Sequence, residues 1–321
     1  MKLTTVKLDN RLAPAALLSS GTIIDLSAAS RAGLLGDAPL HTITDILDLD
    51  GPLFDPVRSL VGRIEGGETG PLDQIAAAGG VHDAASVTYA PMLRPGLIVA
   101  CGMAYRDHMA EMNTPIPTKP HSFMKSPNAI IANNEPIVLP QVDPEMVDYE
   151  CELACVIGRP LYNVSPEEAM NYVAGFTMLN DVGSRSSVAA WLQSMEEDDP
   201  RKAVGLFSAT VYDKQFPGFC PMGPVVETFD TFGDPTDFSI EARLNGQIVQ
   251  SAHSSDLIFP IAYSLSYLSR WYKFMPGDVL STGSPAGVGF ARKPPRMLQE
   301  GDVIEISCPK IGNLANPVVA A

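Results

Sequence analysis

The residues best able to do chemistry lie in Asp148-Tyr149-Glu150-Cys151-Glu152, which runs into the short apolar stretch Leu153–Ile157 and stops at Gly158. This reads as a β-strand. Side chains alternate between the faces of a strand, so Asp148, Glu150 and Glu152 share one side. Three carboxylates on one face repel each other, and either bulk water or a cation can offset that. Oxygen-only ligands suit a hard cation such as Mg²⁺, Mn²⁺ or Ca²⁺. From these residues alone a solvated acidic edge and a metal site stand level. Asp181 closes a second β-like run, Phe176–Leu179, and can add a further carboxylate.

Other candidates lie on either side. His108 and Glu111 are three apart and fall on one face if residues 105–111 are helical. A carboxylate beside a histidine can fix its tautomer as a general base, although such a pair also occurs incidentally on surfaces. Lys125 stands between turn-forming residues, where a lone lysine is ordinarily solvated. Thr282-Gly283-Ser284-Pro285-Ala286-Gly287-Val288-Gly289 follows a short strand. It is neither a phosphate-binding P-loop nor a dinucleotide fingerprint. Its backbone N–H groups and the Ser284 hydroxyl suit a carboxylate.

The elements that must position these groups can be placed coarsely. An N-terminal unit, residues 1–88, carries a β-like run at Thr22–Leu26 and a helix opened by Asp55-Pro56, with no catalytic constellation. A linker-like Pro91–Gly96 leads to the strand Leu97–Cys101 and the larger unit, residues 89–321. Ser165-Pro166 opens a helix that Gly175 stops, and the strand at 176–179 follows. Residues 186–213 are irregular, with one or two helical turns at 189–195 and a solvated acidic run, Glu196–Asp199. Residues 214–224 are turn-rich. Asn245-Gly246 joins a β-hairpin. A helix from Ser255 carries the core stripe Leu257, Ile261, Leu265, Leu268 and Tyr272.

Composition narrows the function classes. With 45% hydrophobic and 18% charged residues the chain is an ordinary globular protein. Its 37 acidic against 22 basic residues, net −15, argue against nucleic acid or an anionic membrane as partner. Five scattered cysteines form no disulfide framework and point to a reducing cytoplasm. No signal peptide stands out in residues 1–20, and no apolar run approaches membrane-spanning length.

In order along the chain, AYRDHMAE (104–111), FMKSP (123–127), DYECELACVIG (148–158), GFTMLNDVGSR (175–185), KQFPGFCPMGP (214–224), LNGQIVQ (244–250) and PGDVLSTGSPAGVGF (276–290) resemble the fumarylacetoacetate hydrolase superfamily, its compact bacterial members above all. The resemblance spans residues 91–321. It implies an α+β, β-rich fold: a mixed β-roll or sandwich catalytic domain, a smaller N-terminal domain, and a homodimer. It implies a divalent cation, Mg²⁺ or else Mn²⁺ or Ca²⁺, on Glu150, Glu152 and Asp181. The His–Glu dyad falls on His108 and Glu111, the active-site lysines on Lys125 and Lys214, and the arginine after the Asn-Asp pair on Arg185. Tyr105, Lys125, Gly283 and Ser284 match substrate-binding positions. The chain departs from the pattern at Ala104, at Gly183 where Ser is common, and through residues 186–213.

The implied activity is hydrolysis of a C–C bond in a 1,3-diketo acid of acylpyruvate or fumarylpyruvate type, giving pyruvate or a similar 2-oxo acid plus a carboxylic acid. In that scheme His108 activates water, and Lys214 and Arg185 stabilise the oxyanion. Decarboxylation of an oxaloacetate-like acid, or isomerase or hydratase chemistry, would use the same metal-enolate site. A non-catalytic ligand-binding protein is the alternative from another class, although it would have no need of the dyad.

Overall fold

The computed structural model describes residues 1–196 and 200–321. The chain is a strand-rich mixture of helices and sheets. The main sheet runs, edge to edge, Val81–Asp83, Thr22–Asp25, Arg11–Leu17, Lys2–Leu8, Cys220–Thr228, Val173–Asn180, Cys151–Ile157, Val279–Ser281, Ile98–Gly102 and His121–Lys125. A second sheet orders Gln247–His253, Ser239–Leu244, Val303–Cys308, Gly312–Val319 and Ile137–Val138.

The acidic strand lies inside the main sheet. Cys151–Ile157 pairs antiparallel with Val173–Asn180 on one side and with Val279–Ser281 on the other. All seven of its residues are buried. Its alternate side chains Cys151, Leu153, Cys155 and Ile157 enter one core, and Ala154 and Val156 enter another. Burial on both faces explains the nearly continuous apolar run after Glu152.

The N-terminal residues are continuous with this sheet. Lys2–Leu8 pairs with Cys220–Thr228, Lys2 opposite Glu227 and Leu3 opposite Val226. Leu3, Ile24, Ile43 and Leu60 share a core with Ala154, Val156, Leu179 and Val279.

Several expected elements change. The acidic segment is not one continuous strand. Val147–Asp148 pairs separately with Gly183–Ser184, and regular pairing resumes at Cys151. Gly175 does not end a helix but sits within the strand Val173–Asn180. A Cβ there would lie 2.3 Å from the Glu227 carbonyl oxygen, so the neighbouring strand requires glycine. The turn-rich 214–224 stretch contributes the strand Cys220–Thr228 despite Pro221 and Pro224. Pro224 falls where the ladder to Val173–Asn180 slips between Phe176 and Met178, and Pro221 lies before the paired residues of that ladder, opposite Ile131 on the other side.

Residues 186–213 are more ordered than expected, with helices Ser186–Glu196 and Pro200–Ala209. The Trp191 and Phe207 rings meet at 5.3 Å between them. Residues 197–199 of the acidic run lie outside the described residues. The helix expected from Ser255 is Ile261–Leu268, because Pro260, extended at ψ 147°, sets its start. The hairpin on Asn245-Gly246 forms with both turn residues at positive φ, 51° and 78°. The helix at 55 begins at Phe54, with Leu53 rather than Asp55 as its cap.

Candidate active site

Glu150, Glu152 and Asp181 converge. Each offers a carboxylate oxygen, and these oxygens lie within 4.8 Å of one another with all three residues buried. Local backbone geometry enforces this. Cys151 faces Asn180 across the ladder, the Asp181 N–H donates to the Glu150 carbonyl at 2.9 Å, and the Glu150 N–H donates to Asn180 Oδ1 at 2.9 Å. The Asn-Asp pair thus plays two parts: its amide holds the backbone and its carboxylate completes the cluster.

Three cations press on it. Lys214, from a 3₁₀ turn at Tyr212–Lys214, places Nζ 2.6 Å from Glu150 Oε2 and 3.0 Å from Asp181 Oδ2. Lys125, at the end of its strand, places Nζ 2.5 Å from Asp181 Oδ1 and donates to the Val182 carbonyl at 3.1 Å. Arg185 bridges Asp148, at 2.8 Å, and Glu150. Lys214 reaches the cluster across Gly183, where a Cβ would stand 2.8 Å from Lys214 Cδ.

Burial acts to raise the Glu150 carboxyl, but Lys214 and Arg185 overcome it and hold that group far below the carboxylate range. Glu152 goes the other way. Burial, then the charges of Asp181 and Glu150, push it well above its ordinary value, and its main polar partner is the Ser281 hydroxyl. Burial lowers the Lys214 ammonium, yet Asp181 and Glu150 outweigh that and raise it.

The donor set fits a divalent cation. Both oxygens of the buried Asp181 carboxylate lack a hydrogen bond, because the two ammonium groups lie close but are not aligned to donate. An all-oxygen, electron-rich cluster of this kind suits a hard cation.

The His–Glu pair stands over this cluster. Met103, at φ 53°, turns the chain from Ile98–Gly102 towards the short helix Arg106–Glu111. His108 Nδ1 lies 3.1 Å from Glu111 Oε2, and the Gly287 N–H donates to both Glu111 oxygens, at 2.9 and 3.1 Å. His108 is close enough to Glu150 for its charge to help hold that carboxyl down.

The glycine-rich loop is tied down at several points. Ser281 donates to Glu152, Gly287 to Glu111, and Gly289 and Phe290 donate to Asp148 at 2.7 and 3.0 Å. Asp148 therefore anchors this loop and does not join the carboxylate cluster, contrary to the alternation argument. Gly283, at φ 91°, approaches Cys101 so closely that a Cβ would lie 2.9 Å from its carbonyl oxygen. Ser284 is buried and accepts from Gln250 Nε2 at 3.0 Å. Tyr105 is wholly buried beneath the short helix, its hydroxyl without a hydrogen bond. The cysteines are all buried and unpaired. Two polar supports, Ser281 and Gln250, lie inside the matched stretches 276–290 and 244–250 but do not stand out there as site residues, because neither belongs to a spacing that signals chemistry.

Comparison with known proteins agrees with this arrangement. Residues 97–319 match the family model described as Fumarylacetoacetate (FAA) hydrolase C-terminal. The chain belongs to the fumarylacetoacetate hydrolase family. Among relatives, the mitochondrial oxaloacetate tautomerase of Xenopus laevis is 37% identical over 230 residues, 72% of this chain and 67% of that one. The mitochondrial oxaloacetate tautomerase of Rattus norvegicus is 34% identical over 280 residues, 85% and 84% of the two chains. A solved structure of this fold, a fumarylacetoacetate hydrolase from Exiguobacterium antarcticum, superposes with TM-score 0.74 at 30% identity, covering 100% of both chains. Hydrolase and tautomerase thus occur among this family's named members. Among the described residues no helix is long and apolar enough to cross a membrane.

Proposed function

We propose that the protein is a divalent-metal-dependent enzyme that moves a proton between carbon and oxygen of a 2-oxo dicarboxylic acid, interconverting the keto and enol forms of oxaloacetate. The observation that carries this reading is the Glu111-held His108 above a buried carboxylate cluster, in a chain 37% identical to a protein named for that reaction.

When bound by Glu150, Glu152 and Asp181, a divalent cation supplies a Lewis acid for the substrate's carboxylate and 2-oxo oxygens. Glu111 fixes the imidazole so that one ring nitrogen faces the cluster as a base for the carbon-bound proton. The same nitrogen returns that proton to carbon or delivers it to oxygen. Lys214 and Arg185 keep positive charge beside Glu150, where negative charge grows on the substrate. Burial of the cluster excludes water and strengthens these interactions.

A second reading, hydrolysis of an acylpyruvate, is favoured by the same dyad, which can equally deprotonate water. It is also favoured by full-length likeness to the Exiguobacterium antarcticum protein titled a fumarylacetoacetate hydrolase. One experiment separates the two. Decay of enol-oxaloacetate and cleavage of an acylpyruvate are followed in parallel, with Mn²⁺ and with EDTA. The tautomerase reading expects metal-dependent enol decay that falls by about 10²–10⁴-fold in His108→Ala while Mn²⁺ binding persists. Metal-dependent acylpyruvate cleavage with no catalysis of enol decay would replace it with the hydrolase.

A further inference from the structure

Gln250 is a buried glutamine in the strand Gln247–His253, and two of the three hydrogen bonds of its amide go to partners of fixed character. The Cys151 N–H, 2.9 Å from Oε1, can only donate. The Pro285 carbonyl, 2.8 Å from Nε2, can only accept. The amide can therefore point only one way. Its second N–H is then directed at Ser284 Oγ, 3.0 Å away. An oxygen that accepts there keeps its own proton to give. Within the loop the nearest acceptor for that proton is the Pro285 carbonyl at 3.4 Å, a long contact to an oxygen already served by Gln250.

We propose that Gln250 sets the polarity of Ser284, making its hydroxyl an obligatory donor to an oxygen acceptor of the substrate, a carboxylate or a carbonyl. This rests on the reading that the 282–290 loop faces a 2-oxo acid. Position supports it. Ser284 lies between Ser281, bonded to the metal-cluster residue Glu152, and Gly287, bonded to the dyad residue Glu111. The loop also packs directly on the strand that carries Gln250: a Cβ on Gly287 would fall 2.0 Å from the Val249 carbonyl oxygen. Through Cys151, Gln250 further ties this polarity to the backbone beside Glu150 and Glu152. Gln250 is thus a positioning residue that acts through Ser284.

The test is a double-mutant cycle read by equilibrium binding, with oxalate titrated calorimetrically into the Mn²⁺-loaded protein. Gln250→Glu keeps an acceptor for Cys151 but turns its other oxygen into an acceptor from Ser284, drawing the proton away from the ligand. It should weaken oxalate by about 10-fold or more, and Ser284→Ala by a similar factor. In the Ser284→Ala background, Gln250→Glu should add less than about 2-fold. Gln250→Met, close in volume and without the donor, serves should the buried glutamate prevent folding, and the same non-additivity is expected. Equal losses from the Gln250 change in both backgrounds would reduce it to a structural staple and overturn the proposal. So would wild-type oxalate affinity in Ser284→Ala alone. Oxalate does not turn over, so a protein that shows this coupling yet leaves enol-oxaloacetate untouched would reject the tautomerase reading and uphold the role of Gln250.

Discussion

Burial and the charges of Asp181 and Glu150 push the Glu152 carboxyl up, whereas Lys214 and Arg185 drag its neighbour Glu150 down against the pull of burial. The two have opposite consequences for stability. A carboxyl raised on folding binds more protons in the native state, so its contribution is favourable at low pH. That contribution is lost as pH rises from the ordinary value of 4.5 through the raised one. Glu150, depressed, loses its contribution only as pH falls below that ordinary value. In EDTA, Glu152→Gln should therefore melt above the wild type by a margin that grows between about pH 5 and pH 8. With Mn²⁺ the order should reverse, because the variant gives up a ligand for a cation that stabilises only the folded chain. A margin independent of pH, or a variant still stabilised by Mn²⁺ as strongly as the wild type, would remove Glu152 from the metal cluster.

At the scale of elements, two glycines make contrasting predictions. A Cβ on Gly287 meets the backbone oxygen of Val249 at 2.0 Å, with φ at 101°, so nothing nearby can yield cheaply. Gly287→Ala should destabilise by about 2 kcal/mol or more in urea unfolding. The atoms nearest a Cβ on Gly183 all belong to the Lys214 side chain, the first at 2.8 Å. Gly183→Ala should displace Lys214 and lower kcat, with a loss of stability in urea unfolding smaller than that of Gly287→Ala and absent when Lys214 is itself replaced by Met, since the strain lies in the lysine and not in the backbone. Matching stability losses in the two variants would contradict the assignment of Gly183 as clearance for the lysine. These elements also show what the sequence could reveal. Glu150, Glu152 and Asp181 were legible as a set through the family resemblance, since the acidic run alone left a solvated edge and a metal site level. Asp148 was misplaced because alternation holds only along an unbroken strand, and this one breaks between Asp148 and Cys151. The strand Cys220–Thr228 was hidden by Pro221 and Pro224, the second of them tolerated within a register slip that no local pattern announces. Among the described residues, the side chains of helices Ser186–Glu196 and Pro200–Ala209 are mostly half-buried or exposed, so no buried stripe announces them. Gln250 lies in the matched LNGQIVQ stretch, yet its role was not legible there, since its importance lies in which atoms of Cys151, Ser284 and Pro285 surround it.

Across the whole molecule, the first strand of the chain extends the sheet that carries the carboxylates, and residues of the N-terminal unit share one core with Ala154, Val156, Leu179, Val226 and Val279. Removing residues 1–88 would strip Lys2–Leu8 from Cys220–Thr228 and expose Val226, Ala154 and Val156. The fragment 89–321 should then aggregate on expression, and the intact chain should unfold in a single calorimetric transition. A soluble fragment 89–321 that binds Mn²⁺, or two resolved transitions, would show that the N-terminal residues fold apart from the site.

The contact between Glu111 and Gly287 has a consequence for when the chemistry is permitted. One carboxylate both fastens the short helix to the loop and steadies the imidazole. Lifting that helix would break the Glu111–Gly287 hydrogen bonds and carry the His108–Glu111 pair, which lies wholly on Arg106–Glu111, away from the carboxylates. The arrangement then acts as an interlock: with the helix lifted the base stands away from the carboxylates, and with the base in place the helix is fastened to the loop. Glu111→Gln, whose amide oxygen can still receive the Gly287 N–H but holds the ring less firmly, should accordingly lose more in kcat than in substrate affinity, with the reverse pattern counting against any such timing.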